Sequence, residues 1–62
     1  MEVNKNDMIE FYSCGRKMAT TTFAEIEKVG FHFDQFVDFQ RTLGRDGYLV
    51  RNEKGEILND CR

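Results

Sequence analysis

Apolar positions follow a helical spacing most clearly between Phe23 and Leu43. Phe23, Ile26 and Val29 recur at three-residue steps, and Phe33, Phe36, Val37, Gln40 and Leu43 fall at i, i+3, i+4, i+7 and i+10. Thr22-Phe23-Ala24-Glu25 has the form of a capping box, in which a Thr hydroxyl and a Glu carboxylate each satisfy a backbone N–H left unpaired at a helix start. Lys28 sits where a cation suits the negative end of the helix dipole. Gly30 fits the C′ position just past a helix end, with Phe31 folding back toward Ile26 as in a Schellman motif. These signals predict a short helix over 22–29 and a second over 34–43, with Asp34 as N-cap and Gly44 as the stop. One continuous helix over 22–43 is the rival reading. An internal Gly costs about 1 kcal/mol against Ala, a loss that close packing against a partner helix offsets. The break at Gly30 is the favoured of the two.

The two ends of the chain read differently from its centre. Tyr48-Leu49-Val50-Arg51 and Glu56-Ile57-Leu58 flank the polar loop Asn52-Glu53-Lys54-Gly55, which predicts a β-hairpin entered through the turn Asp46-Gly47. Before the centre, Asp7 to about Met18 admits two structures. As a helix, it has Asn6 or Asp7 as N-cap, Glu10 three residues after Asp7, and apolar bulk from Met8, Ile9, Phe11, Tyr12 and Met18. As two strands, it runs Ile9 to Ser13 and Met18 to Phe23, turning through Cys14-Gly15-Arg16-Lys17, with the β-branched run Thr20-Thr21-Thr22 in support. The helix is favoured. The expected fold is therefore one small α+β domain over residues 1–62, two or three helices followed by a C-terminal β-hairpin, in the order of a winged-helix domain.

Composition narrows the function classes. At 62 residues the chain has room for one small domain, and no apolar run approaches the roughly 18 residues of a membrane span. The opening Met1-Glu2-Val3-Asn4-Lys5-Asn6-Asp7 lacks the basic start and apolar stretch of a signal peptide, so a cytoplasmic protein with no membrane association is expected. Two cysteines, Cys14 and Cys61, are too few for the bridges that staple a secreted mini-protein, and they read as free thiols, with Cys14 a small core or half-buried residue. With one histidine they also fail the ligand count of a zinc site. His32 stands between Phe31 and Phe33 with no serine, cysteine or carboxylate partner at catalytic spacing. It reads as a structural or surface residue, and neither enzymatic activity nor a cofactor is expected.

Eight aromatic rings in so short a chain point instead to an interface. A domain of this size buries only about 60% of its unfolded surface, and exposed aromatics mark contact sites. The expected protein-contact surface is Phe31, Phe36 and Phe39, rimmed by Asp34, Asp38 and Arg41, serving a homodimer or another protein. The alternative is that all the rings pack within one monomer.

The winged-helix order raises a second possibility, a DNA-binding transcriptional regulator with 34–43 as recognition helix and Asn52-Glu53-Lys54-Gly55 as wing tip. Its phosphate contacts would come from Arg45, Arg51 and Lys54, with Arg41 nearby. The charge pattern opposes it. The chain carries a net −2, and residues 22–40 hold Glu25, Glu27, Asp34 and Asp38 against the single Lys28.

The opening Met1-Glu2-Val3-Asn4-Lys5-Asn6-Asp7-Met8-Ile9-Glu10, the Phe-rich centre and the lack of enzymatic motifs resemble the small accessory proteins encoded in early regions of lambdoid phages. That resemblance implies a modulator of host physiology or of phage development in the bacterial cytoplasm, acting by binding a host or phage macromolecule. It carries no site residue with it.

Overall fold

The computed structural model describes residues 4–62; Met1-Glu2-Val3, part of the opening used for the leader and phage readings, lies outside the described residues. Along the chain run β1 (Met8–Ser13), β2 (Arg16–Thr22), α1 (Phe23–Lys28), α2 (Phe33–Thr42), β3 (Gly47–Arg51) and β4 (Ile57–Cys61). The strands form one antiparallel sheet in the order β2-β1-β3-β4.

This order overturns the expected helices-then-hairpin fold and with it the winged-helix arrangement. The favoured N-terminal helix is a β-hairpin, the reading kept second for those residues. Its strands are joined by Cys14 and Gly15, both at positive φ (51° and 78°), as a two-residue type I′ turn requires. Cys14 is thus an exposed turn residue rather than a core one. The Asn6 or Asp7 cap is absent too. Asp7 instead closes a turn, accepting from the Asn4 N–H through Oδ2 and donating its own N–H to the Asn4 carbonyl.

Strand alternation explains why the hairpin wins over the helix. Ile9 pairs with Val50 and Thr21, and Phe11 with Tyr48 and Ala19, which puts these residues on one face of the sheet. That face meets the helices. Ile9, Phe11, Val50, Phe23, Ile26 and Val37 form a single buried cluster, with Ala19, Phe31, Phe33, Phe36 and Tyr48 packed around it. Burying a side chain such as Ile9 or Phe11 is worth roughly 1.5–3 kcal/mol. A helix over the same residues would have scattered Ile9 and Phe11 around its circumference.

The central helices are broken at Gly30, as favoured. Thr22 caps α1, its hydroxyl accepting from the Glu25 N–H at 3.2 Å. The Glu25 carboxylate does not complete the capping box and accepts instead from the Thr21 hydroxyl. At the other end the Gly30 N–H reaches the Glu27 carbonyl and the Phe31 N–H the Ile26 carbonyl, the two bonds of a Schellman motif, with Gly30 at φ 87°. The same pair of bonds ends α2, from Gly44 to Arg41 and from Arg45 to Gln40. α2 begins one residue earlier than expected. Its N-cap is His32, whose N–H is held by the Gln35 side chain at 3.0 Å, and Asp34 falls in the first turn, where its charge suits the helix dipole.

Across the C-terminal hairpin the side chain of Asn52 organises the loop. Its Oδ1 accepts from the N–H groups of both Lys54 and Glu56 at 2.9 Å, the Asx-turn use of asparagine.

Candidate protein-interaction surface

The turn at Gly30 decides where the aromatic rings go. By sending the chain back on itself, the Schellman motif delivers Phe31 onto α2, where Phe36 and Phe39 rise three residues apart on neighbouring turns. Phe31 stands edge-on to Phe36 at 5.6 Å and stacks on Phe39 at 5.8 Å, while Phe36 and Phe39 are 6.4 Å apart. Phe36 in turn leans on Phe11 at 5.5 Å. The three rings expected at the interface are therefore brought together as a ridge that climbs from the core to the surface. Phe11 is fully buried, Phe31 and Phe36 are half-buried, and Phe39 is 44% exposed. Ring pairs in such tilted and offset arrangements contribute about 0.5–1.5 kcal/mol beyond their burial, so the exposed end of the ridge is held rigidly.

Leu43 extends the surface. It is one turn beyond Phe39 and 51% exposed, a member that its i+4 spacing could have added. The expected helical stripe of α2 divides at this point: Val37 and Gln40 are buried, Phe33 and Phe36 half-buried, and Leu43 open.

The charged rim sits elsewhere on α2. Asp34, Asp38 and Arg41, spaced by four and three, make a separate stripe on the far flank of the helix from Phe36, Phe39 and Leu43. Asp38 and Arg41 pair with each other at 3.3 Å while remaining 74% and 63% exposed, an arrangement worth well under 1 kcal/mol. Asp34 and Arg41 both act on the Tyr48 hydroxyl. Its pKa is raised first by Cys61, its partner across the β3–β4 pair, then by burial and by Asp34, with Arg41 opposing.

The expected nucleic-acid contacts are not gathered. Arg45 is half-buried at the entrance to β3, and Lys54 lies in the loop past the opposite end of that strand. Arg51 is engaged within the molecule, donating to Glu10 Oε1 at 3.4 Å and to the Gly55 carbonyl at 3.0 Å.

Reading β1 as a helix also hid a second polar centre, on the sheet face opposite the helices. Alternation puts Glu10 and Tyr12 there, and the pairing adds Leu49, Arg51, Asp60, Thr20 and Lys17. The Glu10 carboxylate receives the Tyr12 hydroxyl at 2.9 Å and the Arg51 guanidinium at 3.4 Å, with Lys17 Nζ at 3.7 Å. Its side chain is only 8% exposed. Burial by itself would raise its pKa, but Tyr12, Lys17 and Arg51 together outweigh burial and hold it below the ordinary carboxylate value. Beside it Arg62 lies over the Tyr12 ring at 5.3 Å and pairs with Asp60 at 2.9 Å, which lowers the Asp60 carboxyl to about 2. Gly47 makes room for that chain end: a Cβ there would stand 2.8 Å from the Arg62 Cα. Glu10, Lys17, Arg51, Asp60 and Arg62 each have an opposite partner, so the charges at the centre of this face form a closed network.

Both cysteines are free and exposed, and His32 is exposed at the start of α2. Among the described residues no group of three or more His, Cys, Asp or Glu is arranged to hold a metal ion, and no helix is long and apolar enough to cross a membrane.

Comparison with known proteins gives no match: no family model, no curated protein and no solved structure aligns with the chain.

Proposed function

We propose that the chain is a non-enzymatic regulatory protein that acts by binding another protein, and that its contact surface is the ridge of Phe31, Phe36 and Phe39 extended by Leu43. The observation that carries this reading is the exposed end of the ridge. Phe39 presents an open aromatic face, locked in place by Phe31, next to an exposed Leu43. Rigid, partly solvated aromatics backed by a packed core are what binding hot spots are made of, because little side-chain entropy remains to be lost on contact. The resemblance to lambdoid phage accessory proteins suggests the class of partner, a host or phage protein in the bacterial cytoplasm. A second copy of the chain meets the same apolar requirement.

The test is Phe39→Ala, compared with the parent by capture from a bacterial lysate with and without nuclease, and by sedimentation of the purified protein. Phe39 is preferred to Phe36 because Phe36 also supports Phe11, so its loss would mix folding with binding. The expected result is a near-stoichiometric protein partner, or a dimer, whose affinity falls by about 2 kcal/mol in the variant, roughly 30-fold. Recovery that is unchanged in Phe39→Ala, or that disappears on nuclease treatment, would overturn the proposal.

A further inference from the structure

We draw no further inference here: the strongest candidate, the exposed apolar end of the ridge on α2 at Phe39 and Leu43, belongs to the site already described, and nothing in the structure shows what covers it.

Discussion

At the scale of single residues, Glu10 shows how a charge can sit almost fully covered on a sheet face that no helix packs against. Its carboxylate is the point where three strands are tied: Tyr12 on its own strand, Lys17 on β2 and Arg51 on β3. Leu49, its direct partner on β3, is fully buried, although it is no member of the cluster that the helices join. The long side chains of this polar network therefore do for Leu49 what α1 and α2 do for Ile9 and Phe11. Replacing Glu10 by Gln keeps an acceptor for the Tyr12 hydroxyl but removes the charge that Arg51 and Lys17 face. A loss of about 1 kcal/mol is expected at neutral pH. The pH dependence has a definite sign. Because the folded-state pKa is depressed, the stabilisation is fully present above the ordinary carboxylate value of 4.5 and is lost as the pH falls through it toward the lower folded value. Urea unfolding of the parent and Glu10→Gln should thus converge as the pH is taken from 7 to 3. A difference that stays constant over that range would mean that packing, not charge, accounts for the loss.

Elements were legible in the sequence to the degree that their signals were local. The Schellman turn at Gly30 needs only six consecutive residues to be recognised, and both of its hydrogen bonds are present. The hairpin of β3 and β4 was likewise marked by its loop. The N-terminal hairpin was not, because nothing local separates the helix and strand readings of Met8 to Met18. The deciding contacts, Ile9 with Val50 and Phe11 with Tyr48, join residues some forty positions apart. The Glu10 network was lost with that strand, whereas Phe31, Phe36 and Phe39 could be found because they lie within one turn-and-helix unit. Gly30 also gives a test in which the two readings of the centre predict opposite signs. In the broken structure it stands at φ 87° with open space where a Cβ would go, so Gly30→Ala carries only backbone strain, roughly 1–2 kcal/mol destabilising. Within one continuous helix the same change would stabilise by about 1 kcal/mol. The shift in denaturation midpoint distinguishes the two.

For the whole molecule, strand order sets the order in which structure is lost. β1 and β3 are central, each paired on both sides, and they supply Ile9, Phe11, Leu49 and Val50, the most deeply buried side chains of the sheet. The edges are managed differently. β2 is tied through Lys17 to Glu10 and continues directly into α1, and its ladder is interrupted where Met18 is the extra residue opposite β1. β4 pairs with β3 alone, contributes no residue to the buried cluster, and is interrupted where Leu58 is the extra residue, with Ile57 51% and Leu58 43% exposed. Bulges of this kind protect sheet edges from pairing with other chains. They also weaken the hold of each edge on the sheet. Local opening should therefore begin at β4. In hydrogen exchange its amides are expected to exchange first among the strands, while those of Ile9, Phe11, Leu49 and Val50 that bond across the central pair wait for global unfolding. Binding at the ridge, on the other layer of the molecule, should slow exchange in α2 without closing β4. If β4 proved as protected as β1, its attachment would have to come from more than its pairing with β3. The least stable element would then have to be sought in the six-residue α1.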